Sequence, residues 1–143
     1  MTPFKKVLLT SLAILALNPQ SSFAESSEPV TFKSVMQGLL TDTKKITEGI
    51  VLEDFALIES SANKIVSHPK PDLIVRMKLI KAIGSEMGKF KAKDTIVHDS
   101  AVNLVKAAQA KDMAAVKQEY STLINGCLGC HSNFKEKVAK ILK

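Results

Sequence analysis

Apolar residues recur at three- and four-residue steps along most of this chain, the period that lays one stripe down the side of an α-helix. Phe32, Val35, Met36, Leu39, Leu40, Ile46 and Ile50 predict a first amphipathic helix over about residues 31 to 50. Phe55, Ile58, Ala62, Ile65 and Val66 predict a second. Ser67-His68-Pro69-Lys70-Pro71 ends it, because neither proline has the backbone N–H that a further helical turn needs. Ile74, Met77, Leu79, Ile80, Ile83 and Met87 predict helix again from Leu73 to about Phe90, weakened by Gly84 and Gly88. A third core helix is expected from about Asp94 to Ala110, with Val97, Ala101, Leu104, Val105 and Ala108 on one face. The fourth begins near Asp112, a residue suited to the N-cap, and its stripe runs through Val116, Tyr120, Leu123, Cys127, Cys130, Phe134, Val138 and Ile141. Strand-like alternation, hairpin dipeptides and internal repeats are absent from the sequence after residue 24. The predicted fold class is all-α: a four-helix up-down-up-down bundle with an extra helix before the third core helix.

Residues 1–24 have a different pattern. Lys5 and Lys6 precede an apolar run from Val7 to Leu17, broken by Thr10 and Ser11, and Ser22-Phe23-Ala24 places small residues at the two positions that determine cleavage. These are the three parts of a secretory signal peptide. The run is too short to span a bilayer and no stop-transfer pattern follows, so removal is expected rather than anchoring, with no stable membrane insertion afterwards. The expected mature domain is 25–143, enough for one modest core. Removing the signal takes two of the 20 lysine and arginine residues and no acidic one, leaving a net charge of +4. That excess suits docking to acidic redox partner proteins, although lysines scattered over helix faces are commonly just solvated. Nucleic acid is not an expected partner: there is one Tyr, no Trp, one Arg and no basic cluster with aromatic neighbours.

The chemistry sits on the fourth helix. Cys127-Leu128-Gly129-Cys130-His131 is the attachment signature of c-type haem: two thiols add across the vinyl groups as thioethers, and the adjacent imidazole binds the iron from one face. Helical spacing turns positions 127, 130 and 131 to one side, so a single surface can hold the group. A redox disulfide would sit between a strand and a helix, and a structural zinc site needs four ligands, whereas this chain has only these two cysteines, with His68 and His98 far away in sequence. The expected cofactor is one covalently attached haem c on Cys127 and Cys130, with His131 as iron ligand. Bacteria attach c-type haem outside the cytoplasm, so motif and signal together predict a periplasmic protein.

A haem motif at the C-terminal end of a helical chain resembles the cytochrome c′ family, the class II c-type cytochromes. The resemblance is carried by Ala101-Val-Asn-Leu104-Val-Lys-Ala107-Ala108, then Asp112, Tyr120, the Cys127 to His131 motif and Phe134-Lys135. It implies haem buried in the bundle, His131 as proximal ligand and a first-helix residue on the distal side, which here is Met36. In low-spin members a methionine there is the sixth ligand; cytochrome c′ proper leaves an empty apolar site that admits small gases. One turn earlier the family often has a basic residue near a propionate, where this chain has Phe32 with Lys33 beside it. Phe134 is expected against the haem edge. The segment from His68 to Phe90 is longer and more helical than is usual. Family members often form homodimers through their first two helices, but Lys44, Lys45, Glu48, Glu53 and Asp54 put charge there.

Each site residue also has an ordinary structural reading. A methionine on an apolar stripe is commonly core filler, which applies to Met36 and to the alternative thioethers Met77 and Met87. His98 is an alternative distal ligand or a hydrogen-bonded structural residue, and His68, before a proline, is expected in solvent. Gly126 and Gly129 either let the macrocycle or another helix come close, or are merely tolerated at about 1 kcal/mol each. The expected function is single-electron transport without enzymatic activity. The alternative is a five-coordinate binder of nitric oxide or carbon monoxide. A peroxidase would need a distal acid–base group that only His98 could supply.

Overall fold

A computed structural model describes residues 30–141; the expected signal at 1–24 lies outside the described residues. Five α-helices follow in order: α1 (Phe32–Val51), α2 (Phe55–Val66), α3 (Leu73–Ile83), α4 (Met87–Gln109) and α5 (Met113–Ile141), with a 3₁₀ turn at Gly84–Glu86. There is no strand among the described residues. The bundle helices are α1, α2, α4 and α5, and α3 is the extra helix that the sequence predicts before the third of them.

Helix starts are fixed by side chains. Thr31 accepts from the Ser34 N–H, Asp54 from that of Leu57 and Asp112 from that of Ala115, each at 3.0 Å, so one of the unpaired donors at each N-terminus is satisfied. The α1–α2 and α4–α5 corners are built alike. Asp54 donates its N–H to the Gly49 carbonyl and Asp112 to that of Ala107, and the residue before each aspartate, Glu53 or Lys111, is left-handed at φ 55°. This arrangement ends a helix and turns the chain back within three residues, so α1 lies against α2 and α4 against α5. Lacking glycine at the left-handed position costs each corner about 1 kcal/mol.

The main core holds Ile46, Ile58, Ala62, Ile65, Ala101, Leu104, Ala107, Ala108, Val116 and Leu123. Contact runs α1 to α2, α2 to α4 and α4 to α5, whereas α1 and α5 touch only thinly. A hydrogen bond of 2.7 Å between the hydroxyls of Thr47 and Tyr120 spans that thin seam. Small residues, Ser61 and Ala62 on α2 with Ser100 and Ala101 on α4, are all buried and leave room for these helices to pack closely. The Ser100 hydroxyl is satisfied within its own helix by the Ile96 carbonyl.

The region between the prolines and the third core helix departs from expectation. Helix does not run from Leu73 to Phe90 with a new start near Asp94; it breaks at Gly84, and α4 is already formed at Met87. Gly84 adopts φ 57° and ψ −129°, open to glycine and costly for other residues. Gly88 stays inside α4, with nothing close to where a Cβ would lie. At the other end of the segment, the Asp72 N–H is held by the Val30 carbonyl at 3.1 Å.

Candidate haem attachment site

Cys127 and Cys130 are one helical turn apart on α5, yet they meet different surroundings. Cys127 packs on the main core, and Cys130 on a second, smaller cluster of Leu79 and Ile83 from α3 with Phe134 and Val138 from α5. Both are free, half-buried thiols. Burial pushes both above the ordinary cysteine value. At Cys130 the Asp94 carboxylate and the neighbouring Cys127 raise it further, against the Lys93 ammonium. Both sulfurs are therefore neutral at pH 7. His131, one residue and about 100° further round the helix, is exposed. The two thiols thus share the inner face, while the imidazole stands at its solvent edge.

The glycines beside the thiols have distinct roles. A Cβ on Gly126 would lie 2.9 Å from Cγ2 of Val97 and 3.1 Å from Cγ2 of Ile96, so the absent side chain is what lets α4 press against α5 here. A Cβ on Gly129 would meet only the end of the Lys93 side chain, at 3.3 Å from Nζ. The close approach expected of a glycine is thus made by a helix at Gly126.

Phe32, Met87 and Phe90 pack on the second cluster beside Cys130, and the Phe90 and Phe134 rings meet edge to face, 5.4 Å between centroids at 75°. Phe32 and Phe134, the expected aromatic haem contacts, are therefore brought together at the second thiol. Lys33 is exposed. Met36 is half-buried but belongs to neither cluster. Met77 faces solvent at 62% exposure, so of the alternative thioethers only Met87 reaches the site.

His68 and His98 line one cavity of about 130 Å³ together with Asp94, Thr95, Leu39, Ile65 and Val97. Leu39 and His68 also line an adjoining groove of about 260 Å³ that holds Asp42 and Lys64. His68 is half-buried, and its Nδ1 lies 3.0 Å from the Pro69 carbonyl.

Residues 30–135 match the sequence pattern of cytochrome c′. The chain belongs to the cytochrome c′ family. No curated protein and no solved structure matches it. Cytochromes c′ are haem c proteins that transfer electrons or bind gases, and they are generally non-enzymatic. No described helix of this cytochrome c′ chain is long and apolar enough to cross a membrane.

The donors fit haem c. Two neutral thiols a helical turn apart lie against apolar clusters, with an imidazole adjacent in the chain. Cys130 packs on apolar side chains of α3 and α4, the kind of lining that a macrocycle requires.

Sequence reasoning missed two features of this cytochrome c′. His68, expected in solvent, is half-buried and lines the same cavity as His98, thirty residues on, and periodicity carries no signal for that placement because a loop and α3 intervene. Lys93, and Asp94 at the expected start of a helix, stand beside Gly129 and Cys130. Their position would have followed from recognising that the charged run before Asp94 is already helical.

Proposed function

We propose that this protein is a periplasmic monohaem cytochrome that carries single electrons, exported by the segment 1–24 and folded as the domain 25–143. Haem c supplies a one-electron iron couple when bound. The chain's own residues do the rest. Cys127 and Cys130 tether the group, His131 holds the metal from the solvent edge, and Phe32, Phe90 and Phe134 exclude water. A methionine thioether completes the ligand set and favours the reduced state. Met36 is that ligand by family position, and Lys33 is the propionate contact.

The observation that carries this reading is the apolar character of the second cluster around Cys130, where a thioether, Met87, is present. His98 is not among its residues; it lines the other cavity with Asp94.

Absorption spectra of the exported protein test the proposal. Haem should stay with the denatured chain, and the ferric form should be low-spin with a far-red sulfur-to-iron band. Met36→Ala should erase that band and open the iron to carbon monoxide. Loss of the band in Met87→Ala instead moves the ligand and keeps the function. A high-spin unaltered protein that binds carbon monoxide readily replaces electron transfer with gas binding.

A further inference from the structure

Helix α3 is apolar on two opposite sides, and only one of them is covered by the described residues. Leu79 and Ile83 are buried against α5, with Val75 and Ala82 half-buried beside them. On the other side Leu73, Ile74, Met77 and Ile80, spaced by one, three and three residues, form a stripe exposed at 63, 70, 62 and 57%. An apolar helix face is normally packed against a neighbour. Among the described residues, only the Leu79 and Ile83 face of α3 is.

The charges around the stripe identify what fits it. Arg76, Lys78 and Lys81 are exposed on α3, and no acidic residue occurs between Leu73 and Ile83. The nearest acids in sequence are Asp72, at the helix start, and Glu86, which is paired with Lys137. A second copy of the chain would set like charges against each other, so self-association through this stripe is disfavoured. Protein interfaces are enriched in aromatic residues and depleted in lysine, and they carry direct hydrogen bonds. Between Leu73 and Ile83 there is no aromatic residue and no Ser, Thr, Asn or Gln. Aliphatic tips bordered by cations on a convex helix instead match a surface that lies in the plane of an anionic bilayer, the apolar stripe among the acyl chains and the cations at the phosphates.

We propose that the outer face of α3 is a peripheral binding surface for anionic phospholipid. At 11 residues α3 is too short to cross a bilayer, and its inner side stays committed to α5. Binding is modest, reversible and weakened by salt. It places the second cluster, and with it Cys130, next to the membrane. The surface does not depend on how the iron is ligated.

The test is flotation of the exported holoprotein with vesicles of phosphatidylglycerol mixed with phosphatidylcholine, against vesicles of phosphatidylcholine alone. Binding to the anionic vesicles at low ionic strength is expected, with little to the neutral ones. The pairs Ile74→Ser with Met77→Ser, and Lys78→Gln with Lys81→Gln, should each reduce it roughly tenfold. Melting temperatures should not change, because all four side chains lie outside the core. Three results overturn the proposal: no binding to anionic vesicles, binding that survives both pairs, or a dimer in sedimentation that the Ile74/Met77 pair dissolves. Failure on vesicles together with α3-dependent binding to a flavodoxin, a soluble acidic electron-transfer protein, would reassign the face to an acidic protein and likewise overturn it.

Discussion

The two apolar clusters of this molecule are built by opposite means. The main core is aliphatic and drawn from all four bundle helices, and most of its ten buried residues have no exposed surface at all. Two capped corners close it at one end. The second cluster has four buried residues, two of them from the short α3, and an aromatic pair closes it. Cys127 belongs to the first and Cys130 to the second. A group tethered to both sulfurs would therefore rest on the larger, more deeply buried core at one thiol and on the smaller cluster at the other.

The largest expected effect tests that contrast directly. Leu104→Ala should destabilise the protein by about 3–5 kcal/mol, since rigid neighbours leave the cavity open. Ile83→Ala should cost only about 2 kcal/mol, because a short helix between a proline loop and a glycine can settle into the space. Urea unfolding followed by circular dichroism reads both. Equal costs would mean that the second cluster is as rigid as the first.

A finer version uses the glycines beside the thiols. Gly126→Ala should be net destabilising by about 1–2 kcal/mol, because overpacking against the branched Val97 and Ile96 outweighs the better helix propensity. Gly129→Ala should instead stabilise by up to about 1 kcal/mol, since only the end of Lys93 has to move. If both destabilise alike, α5 is confined on both sides of the motif and the contrast fails.

The smallest effect is a pH dependence at the groove beside the main core. Burial raises the Asp42 carboxyl above its ordinary value, opposed by Lys64. A group raised on folding contributes stability below its unfolded value and loses that contribution as pH rises through the folded one. At neutral pH the ionised Asp42 is therefore a slight cost. Asp42→Asn should raise the melting temperature at pH 7 by an amount equivalent to no more than about 0.5 kcal/mol, and should give no gain below the carboxylate range.

The rigid half was the readable half. Ile46, Ile58, Leu104 and Leu123 sit on unbroken helical stripes, and Asp112 marks the start of α5, so period and cap suffice to place them. The yielding half resists the same reading for two reasons. Gly84 and Gly88 look alike in sequence, and only the backbone decides that the first breaks the helix and the second does not. Lys89, Lys91 and Lys93 occupy the start of α4 with little apolar periodicity among them, so the start expected near Asp94 falls seven residues after the observed one at Met87. At the site, the motif fixed Cys127, Cys130 and His131 as candidates, while the partners of Cys130 came from α3 and α4, whose placement no local pattern encodes.

Gly84 has a consequence for comparing this chain with its relatives. The segment from Pro69 to Gly84 begins at a loop that cannot be helical and ends at a residue free to take a left-handed turn, so residues can be gained or lost within it without shifting the phase of α2 or α4. Alignments of the family that count forward from Phe32 will slip across this segment. Register for α4 and α5 is better taken backward from the Cys127 to His131 motif, through the Asp112 corner, to Leu104.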